Sequence, residues 1–192
     1  MRVELYGCYI NSCKVQVGIE DKRIPDSAFT ASSWYNYQYG PDRARLNQPN
    51  GPGGYGAWYA RHQNKNQWLQ VDLGAVSTIT GIATQGMHGS NRWVTSYFIQ
   101  HSRNCRRFAT YRENGRTRMF RGNFDMYTPV AYRFFKALKA RCIRFRPQTW
   151  KSQIAMRVEI YGCVPARDCG TPLGVSNGRL PNKQITATSS LN

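Results

Sequence analysis

The sequence predicts an all-β protein, an antiparallel sandwich or barrel, and three observations carry that expectation. Short runs of β-branched and aromatic residues recur at 68–73, 79–84, 94–100 and 141–145. Clusters of Gly, Asn, Asp or Pro separate them, the punctuation of strands joined by turns. Two cysteines, Cys13 and Cys163, bracket a 151-residue stretch that contains every one of these runs, enough chain for one well-buried core.

Repetition sets the limits of that stretch. The octapeptide MRVELYGC at 1–8 returns as MRVEIYGC at 156–163, with Leu5 against Ile160 the one difference. An offset of 155 residues is the size of a domain rather than of a solenoid repeat. The opposite end of the unit also recurs: VGIEDKRIPDSAFTASS at 17–33 lies over LGVSNGRLPNKQITATS at 173–189, so that Gly18 meets Gly174, Pro25 meets Pro181 and Thr30 meets Thr186. The chain therefore reads as the tail of one repeat (1–8), a linker (9–12), a complete unit (13–163), a second linker (164–168) and the start of another repeat (169–192). Met1 aligns with Met156 inside the repeat and need not be a natural start. No charged and then apolar leader is visible, and no apolar run approaches the roughly 18 residues of a membrane helix.

Six cysteines stand at 8, 13, 105, 142, 163 and 169, none in a CxxC pair or beside histidines at metal-ligand spacing, so neither a metal nor a cofactor is expected. A bond between Cys13 and Cys163 would tie the unit's ends and, on the chain-entropy account, stabilise it by up to roughly 5 kcal/mol. Such bonds belong in an oxidising compartment. Cys8 and Cys169 fall to the neighbouring repeats. Cys105 and Cys142 are either separate thiols or a second bond, and only their separation in space decides between the two.

Along the unit, Trp68 and Trp93 lie inside strand-like runs and read as core. Asp72, between Val71 and Leu73, and Arg157, in the closing strand, read as a buried or half-buried pair, because a lone charge in a sandwich is costly. One segment departs from the strand pattern: Ala131, Phe134, Phe135 and Leu138 are spaced like one face of a helix, a minor alternative to a strand there.

NQWLQVDLG (66–74), GIATQG (81–86), WVTSYFIQHS (93–102), TPVAYRF (128–134), ARCIRFRPQTW (140–150) and MRVEIYGC (156–163) together resemble the successive signature segments of the discoidin, or coagulation factor V/VIII type C, domain family. The six occur in the family's order across the whole unit, and both flanks resemble its end and its beginning. The resemblance implies a jelly-roll β-sandwich of the galactose-binding type, closed by a disulfide between its terminal cysteines. The chain also departs from the pattern. Met87 and His88 follow TQG where many relatives carry Arg after the glycine, Tyr59 stands where many have Cys, and Cys105 and Cys142 occupy positions often filled by Gly and Tyr.

The resemblance further implies that loops at one end of the sandwich present aromatic and polar side chains to a sugar, a lipid headgroup or a protein. The first such loop, 32–47, carries Trp34, Tyr35, Tyr37 and Tyr39 beside the turn residues Gly40 and Pro41. Rings of this kind stack on the apolar face of a sugar or dip into a membrane interface while their polar tips stay wet. A second loop, QGMHGSNRWV, supplies His88, Asn91 and Arg92, and a third, RPQTWKSQ, supplies Trp150 and Lys151; these donors suit sugar hydroxyls or a phosphate.

Charge is the strongest compositional signal. Lys and Arg number 27 against 10 acids, a net +17, and residues 103–146 alone hold 13 basic and two acidic side chains. Such a surface attracts polyanions such as heparin-like polymers, with Arg106, Arg107, Arg116 and Arg118 as the candidate contacts. No nucleic-acid motif accompanies the charge, and extracellular disulfides argue against nucleic acid as the partner. Three histidines outside any triad-like or metal-like motif leave little for acid–base chemistry, so no catalytic site is expected. The expected function is extracellular binding and adhesion through glycans. Binding to anionic phospholipid, or to heparin-like polymer or matrix proteins, stands as the alternative.

Overall fold

The computed structural model describes residues 13–164; Cys8, Cys169, the repeat pieces at 1–8 and 169–192 and the linker residues 9–12 and 165–168 lie outside the described residues. Ten strands carry the fold: β1 (Phe29–Ala31), β2 (Trp58–Tyr59), β3 (Leu69–Gln85), β4 (Trp93–Ser102), β5 (Ala109–Thr110), β6 (Arg112–Glu113), β7 (Arg116–Thr117), β8 (Phe120–Arg121), β9 (Val130–Lys151) and β10 (Ala155–Cys163). Three single-turn 3₁₀ segments accompany them. The expected all-β fold is borne out as a jelly-roll β-sandwich of the galactose-binding-domain type.

Its two layers share two long strands. The first part of β3 pairs with β1 and with the last part of β9, Leu69 opposite Phe145 and Val71 opposite Ile143. The last part of β3 pairs with β10 and with the start of β9, Ile82 opposite Ile160 and Tyr132. β4 then extends one layer along β9, and β2 extends the other along β10. Alternation along β3 sends Leu69, Val71 and Leu73 inward, where they meet Ile99, Ile143, Phe145, Ile160 and the fully buried Trp58. Burying each of these side chains contributes about 1.5–3 kcal/mol.

The helix-like spacing of 131–138 has a different origin. Gly81 opposes Arg133 while Ile79 opposes Leu138, so residues 134–137 face Thr80 alone. This outward bulge returns Phe134 and Leu138 to the core and leaves Phe135 84% exposed. Strand pairing on both sides, not helical periodicity, places the apolar residues.

Three other expectations are corrected or resolved. Asp72 pairs with Arg141, Nε to Oδ1 and Nη2 to Oδ2 both at 2.8 Å, because the β3–β9 register brings these neighbours together; Arg157 is engaged elsewhere. Trp68 and Trp93 are half-buried rather than core: Trp68 precedes β3 and lies under the Arg144 guanidinium, and Trp93 takes an outward position at the start of β4. Cys105 is bonded to Cys142, and Cys13 to Cys163. Four residues before Cys163 on the same strand, the buried Glu159 carboxylate accepts the backbone N–H of Glu20 at 2.9 Å and of Ile160 at 2.8 Å, holding the start of the unit against β10.

Candidate functional site

At the Ala155 end of β10, opposite the Cys13–Cys163 end, four loops meet. Arg157 organises three of them. Its buried guanidinium donates to the carbonyls of Gly86 (2.7 Å), Gln48 (3.0 Å) and Met126 (2.7 Å). Burial pulls this group down to about 10, which leaves it charged at neutral pH. The loops pack backbone to backbone: a Cβ at Gly86 would lie 2.5 Å from the Asp125 carbonyl oxygen, and one at Gly56 would lie 2.2 Å from that of Gln48. Only glycine permits that approach.

The first loop turns on Asn36, whose side chain accepts the Gln38 N–H at 2.9 Å and caps the 3₁₀ turn Tyr37–Tyr39. That turn sends alternate rings in opposite directions. Tyr37 points out and is 82% exposed; Trp34 and Tyr35 are also exposed. Tyr39 turns inward, stacked on Tyr55 at 4.5 Å and edge-on to Tyr35 and Tyr59. It supports the cluster rather than offering a free face, and burial raises its phenol.

Tyr35 in turn stacks on Tyr59 at 5.2 Å, and the Arg92 guanidinium lies 5.7 Å from the Tyr59 ring centre. Arg92 is oriented by Ser90 Oγ, 2.6 Å from Nη1, and by Gln153 Oε1, which accepts from Nε. Two open clefts of about 460 Å³ meet this stack. One is lined by Ser90, Asn91, Arg92, Ser152 and Gln153, the other by Trp34, Tyr35, Asn36, Arg61 and His62. The first is lined by hydrogen-bonding groups alone and the second adds the Trp34 and Tyr35 rings, so that together they offer polar donors beside an aromatic face, the composition of a site for a small polar ligand.

The structure gathers Trp34, Tyr35, Asn91 and Arg92 at the clefts, with Tyr37 exposed on the same loop. His88 is half-buried, its ring edge-on to Tyr127 at 5.6 Å. Trp150 packs against the core and Lys151 is exposed across from Trp93 at the end of β9; the third loop instead contributes Ser152 and Gln153, because β9 extends through Lys151. Sequence reasoning missed Tyr55, Arg61 and His62, and it missed a fourth loop, 122–129. There Phe124 is 68% and Tyr127 54% exposed, on a turn fixed by Asp125, which accepts the Tyr127 N–H at 2.8 Å and is held ionised to lower pH by Thr128. The GNFDMYTP stretch, with aromatics among turn residues, was the available signal.

On the basic segment, Arg106, Arg107 and Arg116 are exposed. Arg118 is not a free contact: it pairs with Glu113 at 3.3 Å and lies 5.4 Å from the Phe120 ring. One set of metal-type donors comes together among the described residues, Asp72 with Cys105 and Cys142, but the disulfide consumes both sulfurs.

Residues 28–160 match the family model for the F5/8 type C domain. The chain is 36% identical over 168 residues to coagulation factor VIII of Homo sapiens, covering 85% of this chain and 7% of that protein. It is 36% identical over 171 residues to lactadherin of Rattus norvegicus, covering 85% and 39%. Among solved structures, discoidin II of Dictyostelium discoideum superposes with a TM-score of 0.66 at 27% identity, over 78% of this chain and 57% of that one. The family 32 CBM from C. perfringens NanJ, solved in complex with galactose, shares the fold at a TM-score of 0.52 and 19% identity, over 72% and 96%.

Proposed function

The chain belongs to the F5/8 type C domain family, and on that premise we propose that it is an extracellular binding and adhesion module that recognises glycans through its aromatic loop cluster. The observation that carries this reading is Arg92 held over Tyr59, which stacks on Tyr35, between two clefts lined by Asn, Ser, Gln and Arg. A pyranose ring offers an apolar face for an aromatic platform and hydroxyls for oriented donors, and this arrangement supplies both within one small area. Two disulfides among the described residues suit a secreted protein or an ectodomain. No helix among them is long and apolar enough to cross a membrane.

A second reading, peripheral binding to anionic phospholipid, is favoured by Phe124, an exposed ring with no polar tip on the loop beside His88. Arg106 and Arg107, exposed on the basic segment, would add contacts to heparin-like polymer or to an acidic matrix protein. A glycan array run beside a phosphatidylserine-liposome pull-down, both at physiological salt, tests the choice. Glycan binding lost in Arg92→Ala and in Trp34→Ala/Tyr37→Ala is the expected result. Liposome binding that depends on Phe124, with no glycan retained, would replace it with the second reading.

A further inference from the structure

Away from the loops, the outward face of β9 carries an arrangement that a merely solvated charge does not need. Arg144 is sandwiched between two rings, its guanidinium carbon 4.1 Å from the Trp68 ring centre and 3.8 Å from that of Phe108. Two positions along the same face, about 6.6 Å at strand rise, Arg146 lies 5.7 Å from the Phe98 ring. The groups that hold the pair are neutral. Gln70 Oε1 accepts from Arg144 at 2.8 and 3.2 Å, while Gln100 Oε1 and the Lys65 carbonyl accept from Arg146 at 3.3 and 3.4 Å. Nε of Arg146 is shielded from water and has no acceptor among the described residues. Two fixed guanidiniums thus stand side by side with no carboxylate among their hydrogen-bond partners.

The next loop adds to the same face. Cys105 is bonded to Cys142, two residues before Arg144, and Phe108 covers Arg144 itself. Arg106 and Arg107 are therefore held between two anchors on this face, with both backbone N–H groups accepted by Asn104 Oδ1 at 3.0 and 3.1 Å, and both side chains are exposed. The acid at this edge, Asp72, lies within 4.8 Å of the disulfide sulfurs and is clamped by Arg141. Burial lowers both Arg144 and Arg146, and their mutual repulsion lowers Arg144 further, so an anion seated between them relieves a cost already present in the fold.

We propose that Arg144 and Arg146, flanked by Arg106 and Arg107, form a seat for the sulfate groups of a linear sulfated polysaccharide. This inference rests on the polyanion part of the reading above and moves its centre from the exposed hairpin to the sheet face. Planar forks already oriented by stacking match the tetrahedral oxygens of a sulfate, and preorganisation lowers the entropy lost on binding. A row of cations on the flank of a sandwich fits an extended chain lying across it. The aromatic loop cluster, proposed above for the glycan site, lies at the end of the molecule instead.

The test uses the full 192-residue chain on immobilised heparin. Arg144→Gln/Arg146→Gln is expected to weaken binding at least tenfold and to reduce the slope of log Kd against log salt by roughly one to two. Arg112→Gln/Arg116→Gln should stay within about twofold, and Trp34→Ala/Tyr37→Ala should leave heparin binding unchanged. Equal losses for the two arginine pairs would reduce the surface to diffuse charge and overturn the seat. Phosphatidylserine vesicles that need Arg144 and Arg146 when heparin does not would also overturn it. Where the stacked pair does not tolerate replacement, arginine-selective labelling of the unaltered protein decides: heparin should protect Arg106, Arg107, Arg144 and Arg146 but not Arg112 and Arg116, and the reverse pattern refutes the seat. Glycan binding at the loops is read separately, so either site can fail alone.

Discussion

Arg157 donates from Nε to the Gly86 carbonyl at 2.7 Å, and its other two nitrogens reach Gln48 and Met126. One side chain on the closing strand thereby fixes loops that are far apart in sequence. Arg157→Met keeps much of the apolar stem and deletes the three donors, leaving buried carbonyls unpaired. The expected loss is about 3–5 kcal/mol of stability, with faster amide exchange confined to the three loops and weakened ligand binding. Exchange that quickens evenly over the whole sandwich would assign Arg157 to general stability instead.

The first loop sets an exposed ring, Tyr37, beside a supporting one, Tyr39. Tyr37 is 82% exposed, so Tyr37→Ala should leave the melting temperature nearly unchanged and reduce glycan binding. Tyr39 is stacked on Tyr55 and braced by Tyr35 and Tyr59. Tyr39→Ala should cost about 2 kcal/mol through lost burial and ring contacts, with its effect on binding following the loop's disorder. The opposite assignment of stability and binding between these two rings would show that the loop's faces have been inverted.

The sandwich was legible in the sequence because strand runs and turn clusters repeat with a period set by local chemistry. The aromatic richness of the first loop was legible for the same reason. What sequence could not supply was register. Arg157 looked like a partner for Asp72 because both are charges inside strands, whereas the pairing of β3 with β9 gives Asp72 to Arg141 and leaves Arg157 to carbonyls from three loops. The apolar spacing of 134–138 likewise depends on a bulge opposite Thr80, which exists only once two strands are aligned.

Burial lowers the His101 imidazole below its ordinary 6.5. The unfolded chain, titrating near 6.5, therefore binds more protons than the native one in the window below that value, and stability rises with pH across it. Melting temperature should fall as pH drops from 7 toward 5, and His101→Gln should flatten that dependence. The carboxylates held low, Asp21 and Asp125, act below about pH 4, outside this window. Glu159 is raised by burial and works in the opposite sense, so the difference between the two proteins isolates the histidine. Parallel melting curves for both would refute the assignment.

The last prediction joins the repeated octapeptide to the loop cluster. Cys163 ends β10 and Ala155 begins it, so the bond to Cys13 and the loops proposed to bind are separated by about 26 Å of strand. A unit entered and left at one end, with its loops at the other, can be strung in series without covering its own binding face. If the pieces at 1–8 and 169–192 belong to further copies of this unit, each carries the same kind of loop end, and weak sites add by effective concentration. Avidity can then exceed the affinity of one site by roughly 10² to 10⁴ when several reach the same surface. A chain of three complete units should bind a ligand-coated surface at least tenfold more tightly than the single unit 13–163, with the advantage vanishing at low ligand density. Surface plasmon resonance at two densities checks this. Equal affinity for one and three units on the dense surface, with circular dichroism showing both folded, would leave a single specialised unit as the binder.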